Sequence, residues 1–352
     1  MITSVAPGKM ILLGEYAVLE DAPALVCAVK KRAVVSMAPR ENQEFQFSAP
    51  SLELIDLPFV LTPAGHVRFD PALPSHLLKR LHLFSKIFEY TYRKLNKAQP
   101  TGWSIHINTD DFYAKEWHTK FGFGSSAALC VALVSAMNEA FGAHLSRPAL
   151  FRLALNAHHY AQGKMGSGID IAASFFGGYL IYRRIREEDA LHKLPEKIPP
   201  CRGLYFKPVF TGHSASTRVM LKGVHQLKEE KPELYREILT RLEQISLQGS
   251  LHFKEHNALA FLQDVVQFYR AMEELGNRSN MPIISAAHRR IFDIARQEGI
   301  AYKPSGAGSG DIGILFADDP ERLERINEKI VHAGFLPLDI EVDEQGQRLR
   351  SL

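Results

Sequence analysis

Hydrophobic and polar residues follow two periods along the chain, and these periods separate predicted strands from predicted helices. Residues 25–37 are rich in Val and Ala, and residues 104–107 alternate in polarity, so a strand is predicted in each. Apolar side chains recur at helical spacing across residues 76–95, which predicts a helix. Residues 10–19 indicate a strand, a turn and a further apolar segment. The first part of the chain is therefore predicted to combine strands with a long helix.

Two further helices have clear sequence boundaries. Residues 122–126 (Gly-Phe-Gly-Ser-Ser) lead into a long helix-compatible run, and Gly142 follows that run. Serine is favoured at helix starts and glycine just beyond helix ends, so this helix is predicted to be capped at both ends. The pattern from Arg147 to Gln162 predicts a second helix directly afterwards.

Prolines at residues 195, 199 and 200 indicate a junction between two domains, predicted as residues 1–195 and 196–352. The elements predicted beyond it are a strand at 205–210, helical segments across 216–298 with an interruption at 276–282, a strand at 313–316, a helix at 320–333 and a terminal strand at 336–342.

Composition and charge restrict the class of protein. Hydrophobic residues make up 46% and charged residues 23%, which excludes a disordered chain, a collagen-like repeat and a coiled-coil rod. The net charge of +3 is too small to predict a nucleic-acid-binding face, but it fits an enzyme for anionic small molecules. No apolar run approaches the ~20 residues that span a bilayer, and residues 1–9 do not form a signal peptide. Three widely spaced cysteines (Cys27, Cys130 and Cys201) form no disulfide or metal motif, so a cytoplasmic location is expected.

Two glycine-rich stretches are candidates for ligand binding. Residues 120–128 (KFGFGSSAA) open the predicted helix, and free N–H groups at a helix start favour phosphate, although a plain N-cap and tight turn fit equally well. Residues 303–316 (KPSGAGSGDIGILF) hold four glycines before an apolar strand, which fits backbone wrapped around a ligand or a mobile hairpin turn.

Two charged residues stand beside glycines. Lys9 follows Gly8 near an apolar strand, where it could reach a phosphate or a hydroxyl, or be solvated like most lysines. Asp170 lies in Gly-Ser-Gly-Ile-Asp before an apolar run, as a buried carboxylate or as the N-cap of a helix. The neighbouring pair His158 and His159 is predicted to be structural, because no further metal ligands are suitably spaced.

Together these stretches resemble the GHMP kinase superfamily over essentially the whole chain. APGKMILLGEYAVL, FGFGSSAA and KPSGAGSGD occur in the family's order. Residues 161–185, with NTDDFYAK at 108–115 and TGHSASTRVM at 211–220, look most like the phosphomevalonate kinase branch. Mevalonate kinases usually place a magnesium-binding glutamate eleven residues before the aspartate, and His159 occupies that position here.

The resemblance implies a fold and an activity. The expected fold is α+β, with a ribosomal-protein-S5-like ATP-binding domain, a ferredoxin-like C-terminal domain and an active-site cleft between them. The expected reaction is ATP- and Mg²⁺-dependent phosphorylation of (R)-5-phosphomevalonate to 5-diphosphomevalonate, a step towards isoprenoids. The alternatives are another acceptor (mevalonate, a sugar or a sugar phosphate), or a catalytically silent binding protein, which would be expected to lack Lys9, Ser126 or Asp170. Neither a nucleic-acid partner nor a membrane is expected.

The resemblance also implies roles for individual residues. Lys9 and Asp170 would be catalytic, with Asp170 near the accepting oxygen, where it either takes the proton or orients the nucleophile. Ser126 would also approach the metal. The loop from Gly306 to Asp311 would shape the acceptor pocket and brace the phosphate loop. The ATP phosphates would be held by Gly122, Gly124, Ser125, Ser126 and Ala127. The acceptor would be held by Lys164, Ser167, Ser216, Thr217, Arg218, Ser305, Gly306 and Gly308.

Overall fold

The computed structural model describes residues 1–42, 44–95, 102–117, 119–163, 166–185 and 193–350. The strands within these residues are β1 Ile2–Leu13, β2 Ala24–Pro39, β3 Phe45–Ala49, β4 Leu54–Leu61, β5 Val67–Phe69, β6 Trp103–Asn108, β7 Tyr113–Ala114, β8 Thr119–Lys120, β9 Tyr179–Tyr182, β10 Glu196–Ile198, β11 Tyr205–Phe210, β12 Ala301–Pro304, β13 Ile312–Ala317, β14 Leu336–Pro337 and β15 Arg348–Arg350. The α-helices are α1 Ser75–Leu95, α2 Ser125–Ala140, α3 Arg147–Gln162, α4 Ile169–Phe176, α5 Thr217–Glu230, α6 Pro232–Lys254, α7 Ala258–Ser279, α8 Ala286–Gln297 and α9 Pro320–His332.

A large mixed sheet forms the first half of the molecule. Its main path runs β10-β9-β2-β6-β3-β4-β5, while β1 pairs with β2 on one side and with β15 on the other. The pairs are antiparallel except for the parallel pair of β3 with β6. Nearly every side chain of β1 is buried, because helices α2 and α4 pack against it.

Strand β1 begins earlier than the sequence pattern predicts. It extends from Ile2, so Pro7, Gly8 and Lys9 lie inside the strand rather than beside a turn. Its register with β2 shifts between Pro7 and Gly8, as expected where proline cannot donate to the sheet. The irregularity falls one residue before Lys9, at the point where the strand passes the start of α2.

Helix α2 is the central element of the N-terminal half. From Ala127 to Asn138 nearly all of its residues are buried, since it contacts the sheet and helices α1, α3 and α4. The predicted N-terminal cap is wrong. The N-cap is Gly124 in a left-handed conformation with no side-chain hydrogen bond, and Ser125 is the first helical residue. The bounds of α3 agree with the prediction.

The second half is built on a four-stranded antiparallel sheet in the order β12-β13-β11-β14. The predicted strand at 205–210 and helix at 320–333 are present. The predicted interruption of the helical region falls later, at residues 280–285, because α7 continues to Ser279. The predicted terminal strand reduces to Leu336–Pro337 and a single bridge between Val342 and Val29.

Two strands from the second half of the sequence belong to the first sheet. Strands β10 and β15 follow the predicted junction in sequence but pair within the first sheet, β15 through Thr3 with Arg350. The boundary at residue 195 stays a prediction. No helix in the described part of the chain is long and apolar enough to cross a membrane. The three cysteines are free and buried, in agreement with the prediction of no disulfide.

Candidate active site

A cleft of about 360 Å³ lies where the two halves meet. Its walls come from the end of β1, the loop at 122–126, the start of α4 and the segments at 214–217 and 305–307. These are the segments that the sequence analysis selected one by one. The fold therefore brings the predicted motifs together at one place.

In the loop at 122–126, two glycines allow the backbone to pack closely against neighbouring side chains. Gly122 and Gly124 have φ angles of 93° and 77°, in the region that side chains with a Cβ disfavour. A Cβ on Gly124 would lie 3.0 Å from Cγ of Lys9, and one on Gly122 would lie 2.4 Å from Cβ of Asp311. Because α2 begins here without a side-chain cap, and Ser125 and Ser126 of its first turn line the cleft, N–H groups at this helix start are available to an anion.

Lys9 is held inside the cleft. Its side chain is 6% exposed, and its backbone N–H donates to the carbonyl of Phe123 at 2.8 Å. The aliphatic stem packs on Gly124, and Nζ lies 3.9 Å from the position that a Cβ on Gly306 would take. The alternative of a solvated surface lysine is therefore wrong, and the ammonium group faces the cleft between two glycine-rich loops.

Asp170 lies at the start of α4, on the wall of the cleft. It is the second residue of α4, whose N-cap is Gly168, so the alternative of an Asp N-cap is wrong. Its side chain is half-buried and lines the cleft. Among the described residues, Lys9 and Asp170 both line the cleft but form no ion pair within 4.0 Å of each other.

Ser126 contacts a buried histidine. Its Oγ lies 3.4 Å from Nε2 of His158 and 3.4 Å from Nε2 of Gln162, and the two nitrogens are 3.0 Å apart. Burial lowers the pKa of His158 to about 4, although Asp170 nearby acts in the opposite direction. The imidazole is therefore neutral at pH 7. In the part of the chain that the structure describes, no group of three or more His, Cys, Asp or Glu residues could hold a metal ion.

A buried network joins the first and third motifs. The Ser305 hydroxyl bonds both the N–H and the carbonyl of Ile11 at 3.0 Å. The carboxylate of Glu15 accepts from Lys303 and, at 3.2 Å, from the N–H of Gly306. Ser305 was predicted to hold the acceptor, but its hydroxyl is occupied in joining the two motifs. Both Lys303 and Glu15 are almost fully buried, so each neutralises the other's charge.

The other predicted residues divide into two groups. Ala127 is fully buried behind the loop, and Gly308 packs against the backbone of Ile283, so neither faces the cleft. Ser216 caps α5 outside the cleft walls, and Arg218 lines a smaller adjoining pocket. Lys164 lies outside the described residues. The residues found on the cleft walls are Lys9, Gly122, Gly124, Ser125, Ser126, Ser167, Asp170, Thr217, Ser305 and Gly306.

Several cleft residues were missed by sequence reasoning. Glu15 belongs to the first motif but was not predicted as a site residue, and Asp311 was predicted only as the end of the loop that begins at Gly306. His158 and Gln162 lie on one face of α3, four residues apart, and reach Ser126. That spacing was visible in the sequence, but nothing in the sequence indicated which helix they faced.

Two models of one protein family match segments of the chain. One described as GHMP kinases N terminal domain matches residues 82–178, and one described as GHMP kinases C terminal matches residues 257–335. Together the two segments make up half of the chain.

Relatives of two activities match along the whole chain. The mevalonate kinase of Thermococcus gammatolerans is 25% identical over 99% of this chain and 98% of its own length. The phosphomevalonate kinase of Saccharolobus solfataricus is 27% identical over 100% of both. The structure of Streptococcus pneumoniae phosphomevalonate kinase matches with a TM-score of 0.78 at 18% identity, covering 97% of this chain and 100% of that one. The expected α+β fold of two joined halves is confirmed by this likeness.

Proposed function

The chain belongs to the GHMP kinases, and from this premise we propose that it transfers the terminal phosphoryl group of ATP to (R)-5-phosphomevalonate, giving 5-diphosphomevalonate. The observation that carries the proposal is the cleft itself. One cavity is lined by an uncapped helix start, a buried lysine and a carboxylate. Phosphoryl transfer requires mainly alignment and positive charge around the transferred group, which these features supply.

Each side chain has a distinct part in the proposed reaction. The N–H groups at the start of α2 bind the phosphates of ATP. Lys9, on the adjoining strand, stabilises the negative charge that develops between donor and acceptor. Asp170, which lines the same cleft, orients the accepting hydroxyl or takes its proton. In this proposal both Lys9 and Asp170 act on the accepting oxygen.

The residues at the cleft fit a magnesium ion that arrives with the nucleotide. Mg²⁺ prefers oxygen ligands and is usually bound by one or two protein groups together with phosphates and water. Ser126 supplies a hydroxyl and Asp170 a carboxylate on the same cleft, whereas His158 is already in contact with Ser126 and Gln162. When bound, the ion neutralises phosphate charge. Ser126 and Asp170 are the chain's candidates to hold it.

Ser126→Ala should raise the KM for Mg·ATP by roughly tenfold, the effect of losing one hydrogen bond to a charged group. The helix should persist, since no serine caps it. Steady-state kinetics at varied Mg²⁺ and ATP test this, with Ser135→Ala as the control. Ser135 lies on the same helix but is buried away from the cleft. If nucleotide and Mg²⁺ dependence were unchanged in Ser126→Ala, the residue would have only a structural role.

The choice of acceptor rests on the sequence of residues 161–173 and on the relatives. That run resembles phosphomevalonate kinases. The Saccharolobus relative bears that name, and the Streptococcus structure contains phosphomevalonate and AMPPNP. A second candidate is mevalonate, favoured by the Thermococcus relative. Both acceptors share the mevalonate skeleton, and the additional phosphate of one distinguishes them.

Recognition of that phosphate requires a cation. Arg218 lines a pocket that adjoins the cleft and shares Gln162, Gly166 and Thr217 with it. Lys222 is one turn further along α5, exposed and outside both cavities. Arg218 and Lys222 therefore serve as a test residue and its control, because both are cations on α5 and only Arg218 lines the pocket.

We expect kcat/KM for phosphomevalonate to exceed that for mevalonate by about 10² or more, because a site built for a charged group leaves its cations unpaired without it. Arg218→Met should raise the KM for phosphomevalonate by roughly tenfold and leave the KM for ATP nearly unchanged. Lys222→Met should change neither. A coupled assay of ADP release with both acceptors measures these constants. Equal or better use of mevalonate would overturn the phosphomevalonate assignment and favour the second candidate.

A further inference from the structure

One carboxylate touches both substrate-binding sides of the cleft. Asp311 follows the glycine-rich stretch of the third motif and immediately precedes β13. We propose that Asp311 is a positioning residue that couples acceptor binding at residues 213–217 to nucleotide binding at the loop of residues 122–126. The inference rests on the proposed function, because it assigns the acceptor to the first segment and ATP phosphates to the second.

The contact on the nucleotide side is direct. A Cβ on Gly122 would lie 2.4 Å from Cβ, 2.6 Å from Cγ and 2.9 Å from Oδ2 of Asp311. The side chain of Asp311 therefore lies against the bare backbone of Gly122, within van der Waals reach. A shift of this carboxylate moves the backbone two residues before the N-cap of α2.

The contact on the acceptor side is a pair of hydrogen bonds. Oδ1 of Asp311 accepts from the N–H of Ala215 at 3.2 Å, and Ser214 also donates to the carboxylate. His213, Ser214 and Ser216 are exposed, so this segment has little burial to order it. The carboxylate is the group to which this otherwise exposed segment is attached.

The backbone of Asp311 is itself firmly held. Its N–H donates to the carbonyl of His213 at 2.6 Å, and its carbonyl accepts from the N–H and the hydroxyl of Thr211, each at 2.9 Å. The preceding carbonyl, of Gly310, accepts from Nε2 of the fully buried His288 at 3.1 Å. These bonds maintain a φ of 58°, which is unusual for a residue with a side chain.

The charge of Asp311 is balanced within the cleft. Burial raises the pKa of its carboxyl, while the hydrogen bonds of Ala215 and Ser214 and the charge of Lys9 lower it. Lys9 also packs on Gly124. The carboxylate therefore contacts the acceptor segment and the nucleotide loop, and it interacts electrostatically with Lys9.

This arrangement predicts mutual strengthening of the two substrates. An acceptor bound against residues 213–217 orders that segment on Asp311, and this fixes the carboxylate against Gly122. The nucleotide then binds a loop that is already ordered, so the dissociation constant of the nucleotide falls. By thermodynamic linkage, the nucleotide strengthens acceptor binding by the same factor.

Titration calorimetry with AMPPNP and (R)-5-phosphomevalonate, each alone and with the other at saturation, tests the proposal. In the unmodified enzyme each ligand should bind about 5–150-fold tighter in the presence of the other. Asp311→Ala removes the contacts with Gly122 and Ala215, and the increase in affinity that each ligand causes for the other should fall below about twofold. Asp311→Asn keeps an oxygen for the N–H of Ala215 and should retain most of the factor. Asp318→Asn is the matched control, because this exposed aspartate lies at the other end of β13.

The outcomes separate the two proposals. Failure of the unmodified enzyme to phosphorylate phosphomevalonate would overturn the proposed function, and the coupling would then be measured with the acceptor that is phosphorylated. An unmodified enzyme without mutual strengthening would overturn the role of Asp311. So would an Asp311→Ala variant that keeps the factor, whatever its individual affinities. Thermal unfolding of each variant shows that the compared proteins are folded.

Discussion

Asp170→Asn is expected to lower kcat by about 10²–10⁴, the range for a positioned acid–base group. The substitution preserves shape and removes the charge. Gly168 is the N-cap of α4, so the helix does not depend on the Asp170 side chain for its cap. Steady-state kinetics with ATP and phosphomevalonate measure the loss, and thermal unfolding shows whether the fold persists.

The kinetic pattern identifies what Asp170 contributes. A group that acts on the accepting hydroxyl during transfer lowers kcat and kcat/KM together, whereas a group that only binds the acceptor raises KM. We expect the first pattern, since Asp170 lines the cleft together with Lys9 and is proposed to act on the accepting oxygen. A folded Asp170→Asn enzyme with near-normal kcat would show that the carboxylate has no part in the reaction.

Lys9→Met should lower kcat by about 10²–10³, which is typical of removing one group that stabilises transition-state charge. Methionine keeps an unbranched apolar stem to pack on Gly124, so the loop at 122–126 should retain its position. The KM for ATP should change much less than kcat. Rapid-quench measurement of phosphoryl transfer separates the chemical step from product release.

Lys30→Met is the matched control for Lys9. Lys30 lies on the neighbouring strand β2, and its exposed ammonium pairs with Glu341 at the surface. Loss of such an exposed pair has little effect on stability and should leave kcat unchanged. Comparable losses of kcat in both variants would mean that the effect of Lys9 arises from general perturbation of the sheet.

Local sequence predicted the elements whose ends are set by strong local signals. Helix α3 begins and ends where its sequence pattern predicts, and β11 matches the strand predicted at residues 205–210. The stretches selected for their glycine density beside charged residues line one cleft. The predictions that agree with the structure are those in which neighbouring residues determine the local conformation.

Long-range contacts explain what the sequence did not predict. Ser305 was assigned to the acceptor, but its hydroxyl is satisfied by the backbone of Ile11, which no local pattern can indicate. Ser125 was expected to cap α2, yet the close packing of Gly124 on Lys9 places the cap one residue earlier. The contacts of Asp311 could not be predicted, because the residues that it contacts, Gly122 and Ala215, are distant from it in sequence.

The partners of β1 determine when the enzyme can become active during its synthesis. Ile11 bonds Ser305, a separation of 294 residues, and Thr3 pairs with Arg350. A nascent chain that has emerged only as far as α7 holds Lys9, the loop at 122–126 and Asp170, but lacks the strands that close the cleft around them. Contacts this distant in sequence slow folding and leave unpaired strand edges exposed meanwhile. The residues proposed to be catalytic are therefore synthesised early, and the cavity that they line is completed only when the last strands dock.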